Sequence, residues 1–330
     1  MAVKFLSSAF NCSREECSQI LFDSRRRTVA ERDDLLDFLD VARSSLIEMY
    51  SGKEINLGSS AGNVVNGVHF PGELNKAIIF LHGNGSFYES AATRPLHWKE
   101  SLKDSSGNTP HLLVFNPSGT GKSSGSTEPQ TVAENLATVF NYLLEQGVDP
   151  NHIVIAGHSM GAYFTAIGAH HIQGLHEEKK INVLLDRSFW NLHSIVDSKV
   201  EKHTKGRLSS AYQKWQVHAA IDKMDWARDS IKALEGLRGR VCVVYHKKDG
   251  VVLYPNSFHT KLSQSERNRS YHCIEMVEED PEVPAHGKYH NREYSEAEDK
   301  QILSELRIML GMEPEETVVQ VEHLLPTIKV

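Results

Sequence analysis

Five short apolar runs constrain the fold of this chain more than any other feature. They read IIFL, LLVF, IVIA, VLL and VCVVY, and most are followed by segments with helical spacing. Strands that are buried on both faces read as continuous apolar runs, whereas strands with one solvated face alternate. Runs of this kind that are separated by helices are typical of a parallel sheet with helices on both faces. We therefore predict an α/β fold with a mostly parallel central sheet.

Further segments surround this predicted sheet. Residues 62–70 alternate weakly between polar and apolar side chains and predict an edge strand. Residues 1–52 show helical spacing and predict an N-terminal helical extension to a main domain over 53–312. The stretch 190–238 is longer than one crossover helix and predicts a small helical cap; a single helix with surface loops is the alternative. Residues 313–330 are predicted to form a C-terminal tail.

Two helix starts show the spacing of a capping box, in which a Ser or Thr precedes a Glu by three residues. Thr131 and Glu134 have this spacing before one apolar periodic segment, and Ser295 and Glu298 have it before another. Gly311 follows the second segment and predicts its end, because glycine readily adopts the left-handed conformation that terminates helices.

The motif GHSMG at 157–161 follows the apolar run IVIA and precedes a helical segment. A strand, a sharp turn and a helix in this order form the nucleophile elbow, which exposes a serine hydroxyl above the sheet. The helix start supplies free N–H groups and the positive end of a dipole. We predict that Ser159 is a nucleophile and that the Met160 N–H stabilises an oxyanion; a turn of small residues without chemistry is the alternative.

A serine nucleophile needs a base and an acid that orients the base, and in this fold both follow the serine along the chain. Asp249 lies just past the run VCVVY and is the predicted acid, with Asp186 at the end of VLLD as the alternative. His290 and His286 both follow a later predicted strand. We favour His290 as the base because it directly precedes Asn291 and the last helix.

The loop after IIFL reads HGNG, and its small residues would let the backbone approach a substrate. We predict Asn84 N–H as the second oxyanion donor. Phe87, Tyr88 and Tyr163 are candidate substrate-binding residues that would line an acyl pocket, with an ordinary core role as the alternative.

Residues 115–124 read FNPSGTGKSS and superficially match a phosphate loop. That motif, G-x-x-x-x-G-K-[ST], requires glycine at position 116, where this chain has asparagine. We therefore do not expect a nucleotide. The sequence also lacks an HExxH motif and a Cys/His cluster, so we predict neither a metal nor any other cofactor.

The formal net charge is −7, with 36 basic and 43 acidic side chains, and this balance argues against nucleic acid as a partner. The N-terminus lacks the apolar stretch of a secretory signal, and no run of about 18 apolar residues predicts a membrane span. Four cysteines without CxxC spacing suit a reducing compartment, and we expect Cys242 and Cys273 to be buried thiols. These features favour a cytoplasmic protein, with signal-independent secretion into a host cell left open.

Taken together, residues from roughly 60 to 312 resemble the α/β-hydrolase superfamily. The matching pieces are HGNG at 82–85, NPSGTGKSSG at 116–125, GHSMG at 157–161, HKKDG at 246–250 and GKYHN at 287–291. Three pieces, HGNG, DRSF at 186–189 and GKYHN, are similar to those of eukaryotic protein depalmitoylases and related lipid hydrolases. A looser similarity is to hydrolase-like proteins of intracellular bacterial pathogens.

This resemblance implies a serine hydrolase that cleaves a carboxylic ester or thioester through an acyl-enzyme. The expected substrate is a small molecule, a lipid or an acylated protein, and the acyl chain is fatty in some of these cases. The alternative is a catalytically idle α/β-hydrolase fold that serves as a binding or effector module, because a fold does not fix a function.

Overall fold

The computed structural model of this chain describes residues 29–60, 62–197, 214–215, 218–219, 221–223, 225–262, 271–277 and 289–313. Its centre is an eight-stranded sheet in the order β1-β2-β4-β3-β5-β6-β7-β8. The strands are β1 (Lys53–Gly58), β2 (Val64–Phe70), β3 (Ala77–Leu81), β4 (His111–Phe115), β5 (Ile153–His158), β6 (Asn182–Asp186), β7 (Val241–Tyr245) and β8 (His272–Glu275). Strand β2 pairs antiparallel with β1 and β4, and the remaining pairs are parallel.

Helices cover both faces of the sheet. They are α1 (Val29–Tyr50), α2 (Tyr88–Ala91), α3 (Thr93–Ser101), α4 (Pro129–Glu145), α5 (Met160–Leu175), α6 (Ser230–Glu235), α7 (Phe258–Leu262) and α8 (Glu296–Met309). Short 3₁₀ turns lie at Pro150–His152 and Tyr254–Asn256. Successive strand side chains point to opposite faces, so Ile79 packs in a core with α4 and α5 whereas Ile78 packs in a core with α1, α3 and α8.

The predicted fold class is confirmed, because a mostly parallel sheet lies between helical layers. The prediction that residues 62–70 form an edge strand is wrong. Strand β2 pairs on both sides, and β1 lies at the edge instead. The short polar sequence KEINLG of β1 lacks the apolar run by which the other strands were recognised.

Two other local predictions differ in outcome. The capping box at Ser295 and Glu298 is confirmed at the start of α8. The one at Thr131 is wrong, because α4 already begins at Pro129, and proline is favoured at a first helical position.

Of the two cysteines that were expected to be buried, Cys242 is buried, but Cys273 is exposed because β8 lies at the sheet edge.

The peripheral segments are described in part. Helix α1 coincides with the predicted N-terminal extension, of which residues 1–28 lie outside the described part of the chain. In the predicted cap, residues 192–197 and α6 are helical, whereas 198–213 are not described. Of the predicted tail, only residue 313 is described.

The topology gathers several loops at one edge of the sheet. Strands β3, β5, β6 and β7 run parallel, so their carboxyl ends meet on the same side. Ligand sites of open α/β sheets lie at this edge. The loops that follow these strands contain Asn84, Ser159 and Asp249, and Asp186 is the last residue of β6; all four are candidate site residues from the sequence.

Candidate active site

Ser159 occupies a sharp turn between the end of β5 and the start of α5. Its backbone has φ 54° and ψ −123°, a conformation that side-chain-bearing residues rarely adopt. The glycines on either side permit this turn. A Cβ atom at Gly161 would lie 2.4 Å from the carbonyl oxygen of Leu81, and one at Gly157 would lie 2.6 Å from the Ala162 nitrogen. The sequence GHSMG therefore brings strand and helix together and holds the serine in a strained conformation.

A chain of hydrogen bonds connects Ser159, His290 and Asp249. The Ser159 Oγ lies 2.8 Å from His290 Nε2, and His290 Nδ1 lies 2.7 Å from Asp249 Oδ2. Because a carboxylate only accepts, Nδ1 carries the proton and Nε2 is left to accept from the serine hydroxyl. The other carboxylate oxygen, Asp249 Oδ1, accepts the N–H groups of Val251 and Val252 at 2.8 and 2.9 Å. These contacts fix the direction in which Asp249 faces the histidine.

The alternative acid, Asp186, contacts a different histidine. Its Oδ2 lies 2.8 Å from His158 Nδ1, and its two oxygens accept from Arg187 at 2.8 Å each. Arg94 adds a second cation, with its Nη1 3.2 Å from Asp186 Oδ2. Burial would raise the pKa of Asp186, but Arg187 and His158 lower it well below its usual value. Asp186 is therefore an ionised, buried carboxylate that binds neighbouring side chains next to the Ser159 turn. The other alternative, His286, lies outside the described residues.

Arg187 is a buried residue of this region that the sequence reasoning did not identify. It adopts a left-handed backbone conformation with φ 46° and is 1% exposed. Its Nη1 donates to the carbonyl oxygens of Tyr289 and Arg292, at 3.1 and 2.7 Å, and so spans the turn that contains His290. The available signal was an arginine directly after the strand NVLLD, which is buried along its whole length, so that a charge there needs buried partners.

Ser159 and His290 open into a cavity of about 640 Å³. One group of lining residues is apolar and consists of Phe80, Ala91, Met160, Phe189, Ile195, Val251 and Val252. A second group is polar and includes Asn84, Ser86, Ser90, Thr93, Arg94, His158, Asn291 and Glu293. The volume is within the range of pockets that bind small molecules, roughly 300–1,000 Å³.

The two predicted oxyanion residues line this cavity. Met160 is the first residue of α5, and the first N–H groups of a helix have no acceptor within the helix. Asn84 belongs to the loop after β3. Between them, Gly83 lies so close to Ser159 that a Cβ atom on it would be 3.3 Å from the serine Cβ.

The three predicted substrate-binding aromatics are not among the described residues that line the cavity. Phe87 is buried just outside the lining. The Tyr88 hydroxyl accepts from Arg43 in the core beneath α1. The Tyr163 hydroxyl donates to the Trp226 carbonyl at 2.6 Å. Phe189 does line the cavity, and it stacks on Tyr163.

The loop that resembles a phosphate loop contacts helix α1. Lys122 of GTGKS forms an ion pair with Asp40 of α1 at 2.7 Å. The helix that follows the loop begins only at Pro129, so Lys122 and Ser123 do not open a helix. In the described part of the chain, no group of three or more His, Cys, Asp or Glu side chains is arranged to hold a metal ion.

This architecture is the α/β-hydrolase fold, with the Ser159 turn after β5 and Asp249 after β7. The structure is similar to an α/β-hydrolase from Vibrio vulnificus, with a TM-score of 0.61 and 21% identity over 88% of this chain and 92% of that one. It is also similar to the Pyrococcus furiosus esterase Pf2001, with a TM-score of 0.56 and 14% identity over 80% of this chain and 93% of the esterase.

At the level of sequence, no family model matches the chain. A multifunctional-autoprocessing repeats-in-toxin protein of Vibrio vulnificus is 29% identical over an alignment of 156 residues, and the match covers 44% of this chain. The match spans only 3% of the length of that toxin. No helix among the described residues is long and apolar enough to cross a membrane.

Proposed function

We propose that the protein is a serine hydrolase that cleaves carboxylic esters or thioesters. The observation that carries this proposal is the unbroken hydrogen-bond chain from Ser159 through His290 to Asp249. His290 takes the proton of the serine hydroxyl as the oxygen attacks the acyl carbon, and then donates it to the leaving group. Asp249 holds the imidazole in the required tautomer. Water then attacks the acyl-serine ester by the same route and releases the acid.

The oxyanion of each tetrahedral intermediate is assigned to the N–H groups of Met160 and Asn84. The position of Met160 at the start of α5 supports this assignment, because a helix N-terminus favours negative charge. The close approach of Gly83 to Ser159 supports it for the loop that contains Asn84. Donors that are already in place need no reorganisation as charge develops, and removing one typically costs about 10²–10³ in kcat.

The apolar group of lining residues supports an acyl chain as the part of the substrate that enters the cavity. Phe189 lies directly before the predicted cap, residues 190–238, and Ile195 lies near the start of the cap. We therefore propose an acyl substrate, whether a small ester, a lipid or an acylated protein. The motifs shared with depalmitoylases make a fatty thioester one member of this class.

Labelling with a fluorescent fluorophosphonate tests the mechanism, since this probe reacts with activated serines. We expect wild type to label and Ser159→Ala and His290→Ala to lose labelling, with labelling retained in His286→Ala. Loss in His286→Ala and retention in His290→Ala would assign the base to His286. Folded wild type that does not label would favour the idle-module alternative.

A series of esters and thioesters of increasing acyl length then tests the substrate class. We expect kcat/KM to rise from acetyl towards octanoyl, because each buried methylene contributes about 0.8 kcal/mol. A preference for acetyl over octanoyl would contradict the assignment of the apolar lining to an acyl chain.

A further inference from the structure

Helix α1 contributes a buried arginine to the core beneath the candidate active site. The Arg43 side chain is 3% exposed. Its Nη2 donates to Glu89 Oε1 at 2.7 Å and its Nε to the Tyr88 hydroxyl at 2.6 Å. Burying such a pair is weak evidence for stability, because desolvation of the two charges offsets most of their attraction. The contacts that continue from Glu89 suggest what the pair does.

The second oxygen of Glu89 extends the network towards the sheet. Glu89 Oε2 accepts from Asn116 Nδ2 at 3.0 Å, at the end of β4. The Asn116 Oδ1 in turn accepts the Tyr88 N–H at 3.0 Å and lies 3.1 Å from His82 Nε2. His82 Nδ1 lies 2.9 Å from the carbonyl oxygen of Gly83. A continuous path of buried polar contacts thus leads from α1 to the loop over residues 82–85.

We propose that Arg43 is a positioning residue that, through Glu89, Asn116 and His82, fixes the loop 82–85 against Ser159. The inference rests on the proposed function, because this loop contains the assigned oxyanion donor Asn84. Its physical basis is that a donor stabilises a transition state only when it is already in place. Misplacing reacting groups by about 1 Å can cost on the order of 10²-fold in rate.

The hydrogen-bonding capacities of these side chains show why the charged pair is needed. Asn116 donates to Glu89, so its Oδ1 must face Tyr88 and His82. Glu89 receives a donor at each oxygen, which only a carboxylate can satisfy. A glutamine at position 89 has one acceptor and would lose either Arg43 or Asn116. Without Arg43, the Glu89 carboxylate would stay buried without its cationic partner.

Helix α1 also supplies a matched control. Lys122 and Asp40 form an ion pair between the loop after β4 and α1, but their side chains are 38% and 46% exposed. Exposed pairs of this kind contribute little to stability. Lys122→Met removes a cation that α1 contacts. Its partner Asp40 also accepts from Arg43 Nη1, and the variant leaves the contacts of Arg43 with Asp40, Tyr88 and Glu89 in place.

The experiment compares Arg43→Met, Glu89→Gln and Lys122→Met with wild type by ester hydrolysis and by hydrogen exchange of peptides covering residues 82–87. We expect kcat to fall about 10- to 100-fold in Arg43→Met and Glu89→Gln, with KM changed by less than about threefold, because the lost contacts act in the transition state. The same variants should exchange faster in residues 82–87. Lys122→Met should match wild type in both measurements.

The two readouts separate the failure of this inference from failure of the proposed function. Unchanged kcat and unchanged exchange in folded Glu89→Gln would overturn the positioning role. If wild type hydrolyses no ester, the proposed function fails and exchange alone decides the inference. If Arg43→Met does not fold, the near-isosteric Glu89→Gln carries the test. If Lys122→Met lowered kcat and sped exchange as much as Arg43→Met does, any disturbance of α1 would explain the effect, and the inference would be overturned.

Discussion

Replacing Asp249 by asparagine should reverse the tautomer of His290. The Asp249 Oδ1 already accepts two N–H groups, those of Val251 and Val252. An asparagine would keep its oxygen there, because its amide group would otherwise meet two donors. Its Nδ2 would then donate to His290 Nδ1, and the imidazole proton would move to Nε2. That nitrogen could no longer accept the Ser159 proton.

The expected loss follows from this geometry. An imidazole in the wrong tautomer cannot act as general base, and in serine hydrolases this costs about 10⁴ in kcat. Such a factor corresponds to about 5.5 kcal/mol of transition-state stabilisation. The free energy of unfolding should change by less than about 1 kcal/mol, because the contacts with the two backbone N–H groups and with His290 are all retained.

Two measurements test this prediction: single-turnover hydrolysis of an ester substrate, and urea denaturation of the same preparation. Asp249→Asn should be folded and nearly inactive. Asp249→Ala provides the comparison, since it removes the acceptor without imposing a tautomer and should retain more activity than the asparagine variant. Activity of Asp249→Asn within about tenfold of wild type would refute the role of Asp249 as the orienting acid.

Three further predictions concern stability. Asp186→Asn should destabilise the fold by about 3–5 kcal/mol in urea denaturation, because it leaves buried cations without their carboxylate; a loss of activity at unchanged stability would contradict this. Gly161→Ala should cost about 1–3 kcal/mol, since its Cβ would meet the Leu81 carbonyl, and unchanged stability would refute the close approach. Burial lowers the pKa of His69 to about 4 in the folded protein, so on acidification the unfolded chain takes up this proton at a higher pH than the folded protein does. The free energy of unfolding therefore falls as the pH drops from about 6.5 towards 4. Between about pH 7 and about pH 4.5, wild type should therefore lose about 2 kcal/mol more than His69→Gln; equal losses would contradict the assignment.

The fold and the three principal candidate site residues could be predicted from local patterns in the sequence. Apolar runs identify strands buried on both faces, and a glycine-flanked serine after such a run identifies a turn into a helix. Chain order in this fold then limits the acid and the base to a few positions. The predictions of Ser159, Asp249 and His290 required no knowledge of distant contacts. In the structure His290 lies 2.8 Å from the Ser159 hydroxyl and 2.7 Å from the Asp249 carboxylate.

The lining of the cavity and the buried charges could not be predicted in this way. Whether an aromatic residue lines a pocket or packs in the core depends on the neighbouring helices, so Tyr88 and Tyr163 were misjudged as lining while Phe189 was overlooked. The partners of Arg43 lie 45 and 46 residues away along the chain. No periodicity within a helix reports contacts of that separation, because helical patterns relate residues only three or four positions apart.

The segment 186–188 shows how one stretch of chain can order both halves of a site. The Ser159 N–H donates to the carbonyl of Asp186 at 2.9 Å, and Ser188 Oγ donates to the Ser159 carbonyl at 2.5 Å. Between them, Arg187 holds the turn that contains His290. The serine turn and the histidine turn are 131 residues apart in sequence, yet both are tied to three consecutive residues at the end of β6. Strand β6 is fully buried and pairs with β5 and β7. A shift of either turn would disturb the contacts at the end of this strand, so these contacts favour the observed Ser159–His290 distance without a substrate.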